Sequence, residues 1–82
     1  MNCRLPEIVE VVARFVARTR GVDESTVEPT TQLLQEGLVD SFGLVELIVE
    51  LESHLGTTLA EGTLLPEDFE TPQVLFERLQ QL

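Results

Sequence analysis

The 82-residue chain has no lysine, no tryptophan and no tyrosine, and only one cysteine and one histidine. A single cysteine excludes a disulfide within the chain and suits a reducing compartment. One histidine and no lysine leave little for nucleophilic or general-base chemistry. The constellations that could be assembled are thin. A Cys3–His54 dyad requires a cysteine expected to lie in a frayed terminus. Glu50 and His54 stand four apart and could share a metal ion, but two ligands make a weak site. Glu46 and Glu50 are expected on a solvated helix face, where nothing would raise a carboxyl pKa into the working range. No glycine-rich phosphate loop, no calcium loop and no apolar run of transmembrane length occurs. This inventory does not read as an enzyme.

Positive charge is the scarcest commodity. Five arginines face 15 acidic residues, for a formal net charge of −10. No lysine or arginine interrupts the series of carboxylates that runs from Asp23 to Glu70. Such a surface repels nucleic-acid phosphates and anionic membranes, and it attracts and steers a basic protein partner. The first residues contain no long apolar signal segment, so the expected setting is the cytoplasm, and the expected state is a monomer.

What is present is helical. The 43% hydrophobic content is enough for a small core, and the length fits one domain over residues 1–82. Pro6 suits a first helical turn, Ile8, Val12, Phe15 and Val16 follow at helical spacing, and Gly21 is a natural cap. The pattern predicts a first helix over about residues 6 to 19. Residues 21 to 40 form a long connection that Pro29 keeps from being one helix. Its apolar positions, among them Val27, Leu33 and Val39, predict that it is packed rather than loose. A second helix starts at Asp40 or Ser41 and ends near Leu55, before Gly56. Pro66-Glu67-Asp68-Phe69 predicts a short helical turn, and Thr71-Pro72 opens a last helix with Val74, Leu75, Leu79 and Leu82 on its apolar face. The expected class is all-α: a small four-helix bundle with three main helices and a short third one.

The second helix has more apolar residues than one buried stripe requires. On a wheel of about 100° per residue, Leu44, Leu47, Ile48, Leu51 and Leu55 gather on one arc, the core stripe. Phe42, Val45 and Val49 form a second arc next to Ser41, with Glu46 and Glu52 on its border. An apolar patch with a charged rim has the composition of a protein-binding site. The connection of residues 21 to 40 or the last helix is expected to give some cover, above all to Phe42. Ser41 itself sits where the free N–H groups of a helix start favour negative charge, so it can be a plain cap or a place for a phosphate.

The stretch Gly37-Leu38-Val39-Asp40-Ser41-Phe42, followed by Leu44-Val45-Glu46-Leu47, resembles the signature of acyl carrier and peptidyl carrier proteins. The resemblance covers nearly the whole chain, from the end of the first helix at Gly21-Val22 to Thr71-Pro72. It implies that Ser41 is the attachment site of 4′-phosphopantetheine, moved from coenzyme A with Mg²⁺ by a phosphopantetheinyl transferase, and that Asp40 supports that transfer. The arm ends in a thiol that carries cargo as a thioester. Phe42, Val45, Glu46, Val49 and Glu52 match the family's partner-recognition positions, which would meet basic patches on a loading ligase and on downstream biosynthetic enzymes. Two departures stand out. Phe42 replaces the leucine usual in fatty-acid carriers, and Gly43 replaces a polar residue. The Asp-Ser-Phe-Gly form looks more like a discrete aminoacyl or specialised acyl carrier than a fatty-acid-synthesis carrier. The alternative from another class is an acidic helical adaptor that binds a basic protein without a cofactor.

Overall fold

The computed structural model describes residues 3–59 and 62–82. Three α-helices, α1 (Leu5–Arg20), α2 (Ser41–Leu55) and α3 (Pro72–Gln80), are joined by connections that hold two short 3₁₀ turns, at Glu24–Thr26 and Pro66–Phe69. The described residues contain no strand. The helix ends follow local chemistry. α1 has its proline in the first turn, and α3 is capped by the Thr71 hydroxyl, which accepts from the Val74 N–H at 3.1 Å. α2 ends at Gly56 with φ 68°, a left-handed conformation open to glycine.

The short element expected before the last helix is a 3₁₀ turn of four residues, so the bundle has three α-helices. Asp68 accepts from the Leu65 N–H at 2.8 Å and closes the turn. It cannot extend, because Thr71 precedes a proline and is held extended at φ −138° and ψ 160°.

α1 packs against both α2 and α3. Its fully buried Ile8, Val12, Phe15 and Val16 meet Leu47 and Leu51 of α2 and Leu75 and Leu79 of α3 in a single apolar cluster. Each such side chain stabilises the fold by roughly 1.5–3 kcal/mol relative to exposure. The long connection between α1 and α2 is packed as its composition predicted. Val27, Leu33 and Val39 are buried, and backbone bonds from Leu33 N–H to the Glu70 carbonyl (2.9 Å) and from Gln73 N–H to the Pro29 carbonyl (3.0 Å) tie it to the start of α3.

Cys3 departs from its expected place in a frayed terminus. It is buried in the core cluster, and the Gln80 amide donates to its carbonyl at 2.7 Å and to its sulfur at 3.3 Å. His54 faces Glu7 across 3.5 Å, so each half of the conceivable dyad has another partner. Among the described residues no helix is long and apolar enough to cross a membrane.

Candidate functional site

The approach to Ser41 is built from one carbonyl. Leu33 accepts from both Leu38 N–H (2.9 Å) and Val39 N–H (3.2 Å), and the turn this closes passes through Gly37 at φ 72°. A side chain at that φ would be strained, which accounts for glycine there. Val39 is buried and anchors the chain. The next residue, Asp40, is extended and caps α2, its Oδ1 accepting from the Gly43 N–H at 2.7 Å. Its Oδ2 accepts from Arg20 at 3.1 Å. The Gly43 bond is the main influence that holds the Asp40 carboxyl below its ordinary value of 3.8; desolvation opposes it, and the Arg20 charge adds to the lowering.

Ser41 is then the first residue of α2, and it is exposed. Among the described residues nothing holds its hydroxyl. The cap and the hydroxyl are therefore separate. Asp40 satisfies the helix start, which leaves the Ser41 oxygen open to solvent at the end of the helix where backbone N–H groups and the dipole favour an anion.

Behind Ser41, α2 divides as its wheel predicted. Leu44, Leu47 and Leu51 are buried, and Ile48 and Leu55 are partly buried against the core. Phe42, Val45 and Val49 are 84%, 64% and 59% exposed. The expected cover over Phe42 is absent: it is the most exposed large apolar side chain among those described. Glu46 is exposed beside them. Glu52, beside Val45 and Val49, has a second engagement. It is half-buried, and its Oε2 accepts from the Leu59 N–H at 2.7 Å.

The weak metal pair is also dispersed. Glu50 binds Arg18 at 2.7 Å while His54 faces Glu7, and among the described residues no three His, Cys, Asp or Glu side chains are grouped to hold a metal ion. Sequence reasoning missed Arg20, the cation at the site. Its guanidinium lies against Asp40 and the Leu38 carbonyl, contacts across 18 to 20 residues that no local pattern marks.

The phosphopantetheine attachment site family matches residues 10–79. The chain is 33% identical over 76 residues to the D-alanyl carrier protein of Bacillus velezensis, which covers 93% of this chain and 92% of that one. It is 32% identical over 75 residues to the D-alanyl carrier protein of Enterococcus faecalis, covering 92% and 96%. It is 38% identical over 55 residues to the acyl carrier protein of Rubrobacter xylanophilus, covering 67% and 68%. No solved structure gives a significant match. Carrier domains of this family bear covalently attached 4′-phosphopantetheine, and an exposed, unbonded hydroxyl on a helix start, next in sequence to the Asp40 that Arg20 holds, suits a phosphodiester. With the match spanning most of the chain and an all-helical fold around it, the protein belongs to the phosphopantetheine-binding carrier proteins.

Proposed function

We propose that this chain is one discrete carrier domain, modified on Ser41, that delivers a small aminoacyl or acyl cargo between biosynthetic enzymes. The observation that carries the reading is the open Ser41 hydroxyl at the start of α2, next to a carboxylate already fixed by Gly43 and Arg20. A phosphopantetheinyl transferase would use coenzyme A as donor. The Ser41 oxygen forms the new bond to phosphorus as the bond to the adenosine diphosphate portion breaks. The bound arm supplies a terminal thiol that holds the cargo as a thioester. Asp40 supports the transfer by presenting a charged oxygen beside the nucleophile while its other oxygen keeps the helix start in place. Phe42, Val45 and Val49 form the apolar part of the face offered to partner enzymes, with Glu46 and Glu52 as its acidic border.

The D-alanyl carriers among the relatives support an amino acid as cargo, whose activation on this reading falls to an AMP-forming ligase. The same reading takes the protein as a cytoplasmic monomer that performs no chemistry of its own. The test is an intact mass after incubation with coenzyme A, Mg²⁺ and a broad-specificity phosphopantetheinyl transferase. One phosphopantetheine is expected on the wild type and none on Ser41→Ala. No gain with competent controls overturns the carrier reading in favour of a cofactor-free acidic adaptor, and a gain that persists in Ser41→Ala moves the attachment site.

A further inference from the structure

Arg20 closes α1, and its side chain turns toward the start of α2. Nε donates to the Leu38 carbonyl at 3.2 Å and Nη2 to Asp40 at 3.1 Å. A guanidinium has five N–H donors, so these two bonds leave three unused. The side chain is 38% exposed, with its charge at the edge of a groove of about 210 Å³ between the two helix ends. Asp40 and Glu46 line the same groove, as do Phe15 and Gly43. Among the described residues that line it, Arg20 is the only cation. Arg18, two residues earlier, is engaged with Glu50 and lies over the Phe15 ring at 5.7 Å. After Arg20 the chain has no further lysine or arginine before Arg78.

A phosphodiester on Ser41 adds a negative charge immediately after Asp40, on a face where Glu46 adds another. Arginine's planar fork matches two oxygens of a phosphate or carboxylate, where lysine offers only a point charge. We propose that Arg20 binds the phosphodiester of the modified chain, sharing its guanidinium between Asp40 and the phosphate. Arg20 thereby fixes the direction in which the arm leaves the helix start. This rests on Ser41 being the modified residue. Gly43 assists by lacking a side chain: a Cβ there would lie 3.3 Å from Asp40 Oδ1 and 3.4 Å from Val39 Cγ1, and would displace the carboxylate that holds Arg20.

The test compares apo and holo forms of the full chain, with conversion verified by mass. In the wild type the Arg20 Nε–H resonance shifts on conversion. The ³¹P resonance of the holo protein differs between wild type and Arg20→Gln, and Arg20→Lys falls between them. At low salt the holo-minus-apo change in melting temperature is more negative in Arg20→Gln by roughly 2–5 °C, and the difference shrinks at high salt. Complete conversion with an unmoved Nε–H and one ³¹P position for wild type and Arg20→Gln overturns the assignment and leaves the modified serine standing. If Arg20→Gln does not fold, the wild-type Nε–H decides alone. If no phosphopantetheine is added to Ser41, both readings fall together.

Discussion

Glu52 is the residue at which two roles can be separated. Its carboxylate accepts from the Leu59 N–H at 2.7 Å, and its backbone carbonyl accepts from Gly56 (2.9 Å) and Thr57 (3.2 Å). One residue thus holds the exit from α2 twice. The carbonyl bonds belong to the helix cap and survive substitution, whereas the side-chain bond does not. A hydrogen bond to a charged group contributes about 1.5–3 kcal/mol. Glu52 is only half-buried, so solvent screening brings this to about 1 kcal/mol. In a domain of this size about 1 kcal/mol corresponds to roughly 4–8 °C in melting temperature. Glu52→Ala is therefore expected to lower the thermal midpoint by that amount in circular dichroism and to speed hydrogen exchange at the Leu59 amide. Glu52→Gln keeps an acceptor oxygen and should recover most of the loss. Glu46→Ala has no bond to lose among the described residues and should stay within about 0.5 kcal/mol of wild type. Equal midpoints for Glu52→Ala and Glu46→Ala, with unchanged exchange at Leu59, would refute the argument. If it stands, Glu52→Gln is the variant that measures charge at the partner face without also loosening the fold.

Three further outcomes follow from the same geometry. Glu46→Arg is expected to leave the fold unchanged but to slow cargo transfer roughly three- to tenfold at low salt, because rim charges act mainly on association rate; unchanged transfer kinetics at low salt would count against this face. Asp23 and Asp40 both have carboxyls held below 3.8, Asp23 chiefly by the Ser25 N–H, so their stabilisation is present above that value and is lost as pH falls through the lower folded-state values. The thermal midpoint should fall with acidification in that range, and more shallowly in the Asp23→Asn, Asp40→Asn double variant; identical slopes would show that neither group is linked to folding. Gly43→Ala should fail to deliver the roughly 1 kcal/mol of helix propensity that alanine normally adds, since its Cβ would crowd Asp40 at 3.3 Å and the buried Val39 at 3.4 Å; a rise in midpoint by the full amount would mean that the groove yields freely.

What the sequence revealed and what it hid divide by distance along the chain. The ends of α1, α2 and α3 were legible because Pro6, Gly21, Asp40, Gly56 and Thr71-Pro72 act within one turn of themselves. The two apolar arcs of α2 were legible because a helix wheel needs only spacing. How far the second arc lies open was not, since the expected cover over Phe42 depended on where the 21–40 connection runs. Cys3 was misplaced because its anchor, Gln80, lies 77 residues away. The grip of Arg20 on Asp40 and the turn of Glu52 back to Leu59 were hidden for the same reason: a polar side chain's partner is a property of the folded surface. The turn at Pro66–Phe69 was foreseen, but its failure to become an α-helix rests on the extended residue that Pro72 demands.

An exposed strip of Phe42, Val45 and Val49 would ordinarily invite self-association. On this chain the strip is bordered by Asp40, Glu46 and Glu52 within a net charge of −10. Two copies brought face to face would set like charges around the rim against each other, a repulsion that acts over a screening length of about 8 Å at physiological salt. The apolar gain from three exposed side chains must then be set against that repulsion and against the freedom lost on association. A partner with basic groups around an apolar pocket reverses the sign of the electrostatic contribution while keeping the apolar one. On the proposed reading, therefore, the carboxylates do more than attract partners. They discriminate, by making the same apolar strip adhesive toward a basic enzyme and unproductive toward a second carrier. The scarcity of lysine and arginine between Arg20 and Arg78 is what keeps that discrimination intact, since a single basic residue on the strip would offer a second copy its own counter-ion.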